Sequence, residues 1–336
     1  MTLLTYTLLF LVLLILELGY FKLANRFNII DKPNLRSSHS RITLRGGGVV
    51  FFFGVLLFFL FSGFSYLWFF VGLSLIAAIS FADDVKPQSS LLRLLVHFLA
   101  MGLMFFQLGL YVLPWYYTLI ALVVCTGILN AYNFMDGING ITGGYSILVI
   151  AALWYINRFE VVFVDEYLLV LLLLALLVFN LFNFRTRARC FAGDVGAITM
   201  AFTLVFLLGR LMIQTVDFTY ILLLAVYGVD SVLTILHRLL LRENIFEAHR
   251  KHAYQIMANE LKIPHVVVSG FYMFLQAVAI TGLLWVHDAF RWIYFSLVLL
   301  VLVALYLLFM RKYFGLHLQT LSRGAEFSER RADILV

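Results

Sequence analysis

Long apolar runs recur along the chain and are broken by short polar stretches. Windows of about 19 residues centre these runs near 2–23, 47–64, 66–82, 91–110, 115–132, 142–157, 166–184, 196–213, 219–240, 266–286 and 292–310. The pattern predicts an all-α, polytopic integral membrane protein of about 11 transmembrane helices, with 10 as the neighbouring count. Some runs fall short of the roughly 20 residues that span a hydrocarbon core, so flanking residues must complete them. The expected organisation is one transmembrane domain over 1–310 and a tail over 311–336.

Charge placement orients the helices. The first run has no basic residues before Lys22, at its C-terminal end, which predicts a retained first span with its N-terminus outside rather than a cleaved leader. Alternation then puts 25–46, 83–90, 133–141, 185–195, 241–265 and the tail on the cytoplasmic side. Those stretches and their flanks hold all of the 24 basic residues except Arg158, Arg210 and Arg291, as the positive-inside rule requires. The C-terminus is therefore expected in the cytoplasm.

Composition narrows the function classes. With 63% hydrophobic and 12% charged residues and a mean hydropathy of +1.00, the chain is excluded from the soluble class, where about 25% of residues are charged. The net charge of +6 is gathered in short loops, so nucleic acid is not expected as a partner. Cys125 and Cys190 give no disulfide framework and read as inert thiols. No internal repeat is evident, which weakens a transporter built from two related halves.

Against this background, carboxylates at span ends read as a functional site. Asp83 and Asp84 close the third span, with Lys86 on the Asp83 face at i, i+3; the bland reading is a solvated helix end neutralised by Lys86. Asn130, Asn133 and Asp136 follow one drifting helical face, and Gly137 and Gly140 allow a break around Asn139. Amide and carboxylate oxygens suit a hard ion such as Mg2+; a polar contact between helices is the alternative. Asp194 lies between Gly193 and Gly196 at a helix start, where it could simply cap that helix. The preceding Arg185, Arg187 and Arg189 read as positive-inside anchors.

Two further loops carry polar clusters. Phe246–Gln255 contains His249, Arg250, Lys251 and His252, an anion receptor suited to a diphosphate. Zinc is the rival there, but only two histidines are near and no cysteine is. Asp31–Gly48 includes Arg36, His39, Arg45 and three successive glycines. It is a turn-rich loop able to approach a phosphate or merely to meet anionic lipid. His97 and His237 read as structural, while Asp31 and Asp230 are left without a role.

In this order the segments resemble the polyprenyl-phosphate N-acetylhexosamine-1-phosphate transferases over nearly the whole chain. The marks are Asp83, Asp84 and Lys86; Asn130, Asn133, Asp136, Gly137 and Gly140; Gly193 and Asp194; and His249, Arg250 and His252. Ala248–Gln255 looks closest to the O-antigen-initiating branch, which uses UDP-linked GlcNAc, FucNAc or QuiNAc. The consecutive histidines of the phospho-MurNAc-pentapeptide translocase branch are absent.

The resemblance implies an enzyme of the bacterial cytoplasmic (inner) membrane with its site on the cytoplasmic face. It would join a UDP-N-acetylhexosamine to undecaprenyl phosphate, releasing UMP and starting O-antigen or another surface polysaccharide. By that resemblance Asn133 and Asp194 hold Mg2+, with Mn2+ as a substitute. Asp83 or Asp84 orients or deprotonates the lipid phosphate, Asp136 supports nucleotide or metal, and His249, Arg250 and His252 grip the diphosphate. Lys86, Arg45, Asn130 and Asn139 are the implied substrate contacts; membrane lipid is a partner and a homodimer is left open. A transporter or flippase is the alternative from another class, but its carboxylates would lie near mid-span at broken helices.

Overall fold

A computed structural model describes residues 3–33, 38, 39, 41–245, 247 and 249–334, with side chains as far as Leu318. Arg36, Phe246 and Ala248 of the predicted loops, and the side chains of Arg323, Arg330 and Arg331 in the tail, lie outside the described residues. The helices are α1 (Leu3–Arg26), α2 (Val49–Phe61), α3 (Leu67–Val85), α4 (Ser90–Leu108), α5 (Trp115–Met135) and α6 (Ile141–Phe159). They continue with α7 (Glu166–Asn183), α8 (Gly193–Thr215), α9 (Ala225–Leu240), α10 (Ala253–Asn259), α11 (His265–Trp285) and α12 (Arg291–Ile334).

Each predicted span falls on one of these helices, and α9 is extended toward its N-terminus by a 3-10 segment, Phe218–Leu224. Nine helical segments among the described residues are long and apolar enough to cross a membrane. Helix α2, with 13 residues, is shorter, and α6 is diluted by Gly143, Gly144, Ser146, Asn157 and Arg158. The protein is an all-α polytopic membrane protein. Its outer helices carry leucine, isoleucine, valine and phenylalanine on exposed faces, as at Leu91, Leu95, Val123, Phe274, Ile293 and Leu300.

Helix α8 is the central element. From Val195 to Leu208 it is buried all round, packed by α2, α3, α5 and, at its edges, α4 and α6. Small residues let the neighbours come close: a Cβ on Gly48, just before α2, would run into the Cα of Gly196. The three basic exceptions all have partners away from the carboxylate cluster. Arg158 faces Glu166, Arg291 meets Asp217, and the Arg210 Nε donates to the Phe163 carbonyl.

Three features were not predicted. A short antiparallel ladder pairs Ile30 with Leu44 and Asp31 with Thr43, and Leu44 bridges onward to Cys190. Helix α10 interrupts the long 241–265 loop. The segment beyond Arg311, expected as a separate tail, continues α12 without a break to Ile334. Buried Tyr306 and Met310 on α12 pack against Ala253 and Ile256 of α10.

Candidate active site

Helix ends gather the carboxylates. Helix α3 stops where Lys86 turns extended before Pro87, and Ser89 then caps α4 by accepting from the Leu92 amide at 3.2 Å. Adjacent residues on a helix point about 100° apart, so Asp83 and Asp84 face different neighbours. Asp84, whose side chain is wholly buried, accepts from the Asp194 and Val195 amides at 2.9 and 3.0 Å. It therefore caps α8 from another helix, where the free N–H groups and the helix dipole favour an anion. Asp194 is not the cap. Gly193, with φ of +70°, makes this junction, and a Cβ there would meet the Asp84 Oδ2 at 2.5 Å.

Asp83 accepts from the Gln88 amide at 2.8 Å and from Arg93 at 3.0 Å. Lys86, predicted to face it, is exposed at the helix end. Arg45 lies between Asp84, with its Nε at 2.6 Å from Oδ1, and Asp194, with a terminal nitrogen at 3.0 Å from Oδ1. The strand before α2 holds Arg45 there. The Gly47 and Gly48 amides donate to the Phe191 and Ala192 carbonyls, and the Phe191 amide donates to Leu44.

Helix α5 contributes the amides. Asn133 is half-buried, Asn130 is exposed one turn earlier, and Asp136 caps the helix. Burial pushes Asp136 up to about 6, opposed by the Thr142 hydroxyl, which donates to its Oδ1 at 2.7 Å, and assisted by the charge on Asp194. Asn139 is buried. Its amide nitrogen donates to the Arg185 and Thr186 carbonyls at 2.9 and 3.2 Å, which ties down the loop before α8.

Two cavities meet at Asn133 and Asp194. The first, about 130 Å3, has Asp83, Arg93, His97 and Asn130 at its polar end and Leu94, Phe98, Met101, Leu129 and Ile198 as its apolar wall. The second, about 320 Å3, is lined by Asp31, His39, Arg45, Asp136, Asn183 and Gln255. A third of about 670 Å3 shares His39 and Phe191 with the second; Arg41, Arg187, Arg189 and His265 surround it without a carboxylate.

The 241–252 loop lies beside this site. The Arg238 guanidinium donates to the carbonyls of Asn244, Ile245 and Glu247, while Lys251 pairs with Glu243. The His249 and His252 rings pack near Phe134 at 6.0 and 6.2 Å between centroids, and the Tyr254 hydroxyl donates to the Phe134 carbonyl at 2.8 Å. Arg250 points toward Glu260 at 3.9 Å. Farther along, Gln255 lines the second cavity; of the three predicted residues, His249 and His252 pack against Phe134, next to the cavity residue Asn133, and Arg250 turns toward Glu260. Burial, and then the charges of His252, Arg238 and Lys251, push His249 down to about 3, so it is neutral near pH 7.

Sequence reasoning brought together Asp83, Asp84, Asn133, Asp136, Asp194 and Arg45. It missed Arg93 and passed over His97 as structural. The available signal was a basic residue in the first turn of the span after the Asp-Asp pair, and it was absorbed into the positive-inside count. Among the described residues no three His, Cys, Asp or Glu side chains form a ready metal cage.

Residues 66–212, which include every carboxylate and side-chain amide of the two-cavity site except Asp31 and Gln255, match glycosyl transferase family 4. The chain is 24% identical over 288 residues to a probable undecaprenyl-phosphate N-acetylglucosaminyl 1-phosphate transferase of Bacillus subtilis, covering 77% of this chain and 79% of that one. It is 32% identical over 161 residues to the phospho-N-acetylmuramoyl-pentapeptide-transferase of Thermotoga neapolitana, 46% of this chain and 51% of that one. It is 27% identical over 208 residues to the undecaprenyl-phosphate alpha-N-acetylglucosaminyl 1-phosphate transferase of Escherichia coli K12, 56% of each. The chain thus spans about half the length of the latter two. Residues 66–212 are thus similar to glycosyl transferase family 4, and the chain as a whole is similar to transferases named for undecaprenyl phosphate and a sugar 1-phosphate.

Proposed function

We propose that the protein transfers N-acetylhexosamine 1-phosphate from a UDP-sugar to undecaprenyl phosphate at the cytoplasmic face of a bacterial inner membrane, beginning a surface polysaccharide such as O-antigen. The carrying observation is that Asn133 and Asp194 are shared between a cavity with an apolar wall and a polar cavity. A lipid phosphate and a soluble nucleotide-sugar would meet there.

An oxygen of the lipid phosphate attacks the sugar-bearing phosphorus, the anhydride bond to the other phosphorus breaks, and UMP leaves with the bridging oxygen. This chain's residues bring the two anions together and offset their charge. Arg93 and His97 stand at the polar end of the lipid-side cavity. Arg45, on the other side of Asp194, faces the donor. Asp83, partly open to the first cavity, is better placed than Asp84 to orient the lipid phosphate.

Asn133 and Asp194 would hold Mg2+, or Mn2+ in its stead. A carboxylate and an amide suit an ion that commonly completes its six ligands with substrate oxygens and water. When bound, the ion would neutralise charge on the diphosphate.

The relatives in Bacillus subtilis and Escherichia coli carry N-acetylglucosamine in their names. That supports a donor without a peptide, GlcNAc, FucNAc or QuiNAc, over the muramoyl-pentapeptide variant. The transporter alternative gains nothing from carboxylates that brace helix ends against each other.

The test uses purified protein with undecaprenyl phosphate, Mg2+ and a panel of UDP-N-acetylhexosamines, with Asp194→Asn as the blank. UMP release with at least one donor is expected from the unsubstituted protein and none from the variant. No UMP with any donor, in lipid that supports a relative, would sink the proposal.

A further inference from the structure

Asp230 lies in α9, is 3% exposed and lines none of the cavities of the site. Four groups nevertheless converge on its carboxylate. Oδ1 faces the His252 Nδ1 at 3.2 Å and accepts from the Ala253 amide at 3.2 Å and the Thr234 hydroxyl at 3.1 Å. Oδ2 accepts from the Tyr272 hydroxyl at 2.5 Å. The His252 backbone is fixed as well, because its amide donates to the Gln255 side chain at 3.3 Å and its carbonyl accepts from the Gln255 amide at 3.0 Å at the start of α10.

This arrangement makes the two ring nitrogens unequal. A carboxylate only accepts, so Nδ1 carries the proton and Nε2 is the nitrogen left to act elsewhere. His252 is 1% exposed, and its Nε2 is buried without a hydrogen-bond partner among the described residues. A buried polar atom left unsatisfied is costly, and a ligand is one way to satisfy it. The ring packs near Phe134, between Asn133 and the Asp136 turn.

We propose that Asp230 is a positioning residue for the transfer: it holds His252 with Nδ1–H on its carboxylate, so that in the complex, with a proton on each ring nitrogen, Nε2–H donates to an anionic oxygen of the donor diphosphate. This rests on the reading that His252 meets the diphosphate. The rival is that Asp230 merely anchors the start of α10 through the Ala253 amide.

Asp230→Asn separates the two roles, since the amide oxygen can take the Oδ1 place and still accept from Ala253, the NH2 in the Oδ2 place can donate to the Tyr272 hydroxyl, and the negative charge beside the imidazole is gone. Its KM for the UDP-sugar is expected to rise about tenfold or more, the worth of one charge-assisted hydrogen bond, with the KM for undecaprenyl phosphate within about twofold of the unsubstituted protein. His252→Gln should lose a similar factor, and adding Asp230→Asn to it should cost nothing further. Tyr272→Phe, which removes a different partner of Asp230, should leave the donor KM nearly unchanged. The proposal is overturned if Asp230→Asn costs as much with Gln at 252 as with His, if both substrates lose affinity equally, or if Tyr272→Phe is as damaging.

A second arm needs neither turnover nor any Asp230 variant. In 15N-histidine NMR of the unsubstituted protein, with His252→Gln for assignment, the His252 Nδ1 should be protonated and the Nε2 signal should move when a UDP-sugar is added. A ring with bare Nδ1, or an Nε2 indifferent to the donor, refutes the inference. Failure of the unsubstituted protein to release UMP would refute the reaction instead.

Discussion

Replacing Asp84 by Asn asks whether this carboxylate braces the site or reacts in it. Its oxygens accept from two α8 amides at 2.9 and 3.0 Å and meet the Arg45 Nε at 2.6 Å, with the side chain out of water. Asn keeps the volume and one acceptor, but it turns an NH2 toward a row of donors and takes the charge away from Arg45. A hydrogen bond to a charged group contributes about 1.5–3 kcal/mol, and removing one partner of a buried pair costs about 3–5 kcal/mol. Arg45 is one-third exposed and keeps Asp194 at 3.0 Å, which discounts the upper figure. The expected loss is about 3 kcal/mol, or roughly two powers of ten in the folded-to-unfolded ratio. Denaturation of the purified protein in detergent measures it, with Asp83→Asn alongside. Asp83 faces Arg93 and a cavity, so its variant should unfold near the unsubstituted protein while losing turnover. Normal unfolding of Asp84→Asn with lost turnover would refute the bracing argument and make Asp84 a reacting group.

Asp136 tests the electrostatics. Its carboxyl is pushed from 3.8 to about 6, so the folded protein holds this proton more tightly than the unfolded chain. The associated stability is fully present below about 3.8 and is lost as pH rises to about 6, a change of up to about 3 kcal/mol at 1.36 per pH unit. In buffer without divalent cations, Asp136→Asn should therefore gain stability over the unsubstituted protein as pH rises from 4 to 7; a difference independent of pH contradicts this. Gly48→Ala tests the close approach of α2 and α8. Its methyl would strike Gly196 and press the Ala192 carbonyl at 3.0 Å, whereas Gly19 has open space. Overpacking should cost about 1–3 kcal/mol and lower turnover by moving the Arg45 strand, with Gly19→Ala unchanged in the same unfolding and UMP assays.

The helices were legible because hydrophobic runs of membrane length announce themselves. The short ladder Ile30–Asp31 with Thr43–Leu44 was not, since two-residue strands have no periodicity to detect. The carboxylates could be found because charge at the end of an apolar span is costly and thus informative. Their division of labour could not. Asp83 and Asp84 are neighbours in sequence, and only the rotation of α3 against α8 makes one a buried cap and the other a cavity residue. Arg93 was hidden for the same reason, because its pairing depends on how α3 and α4 fold back on each other. His252 was found as a cation, yet its partner Asp230 stands 22 residues away on another helix and left no local pattern.

The charge balance at the helix ends bears on the proposed cation more directly than coordination geometry does. Asp83, Asp84 and Asp194 face two guanidinium groups: Arg45 bridges Asp84 and Asp194, and Arg93 bridges Asp83 and, at 3.7 Å, Asp194. With all three of these carboxylates ionised, one negative charge is left over when Asp136 is protonated and two when it is ionised. Two phosphate-bearing substrates cannot be gathered at a net-negative cluster on favourable terms. Either the arginines must release their carboxylates to take phosphate, which exposes more negative charge, or further positive charge must arrive. The nearby loop does not supply it at His249, which is neutral near pH 7, and Arg250 and Lys251 already face Glu260 and Glu243. A divalent cation held by Asp194 and Asn133, as proposed above, would restore the balance and would let Arg45 and Arg93 turn toward phosphate without leaving the carboxylates unopposed.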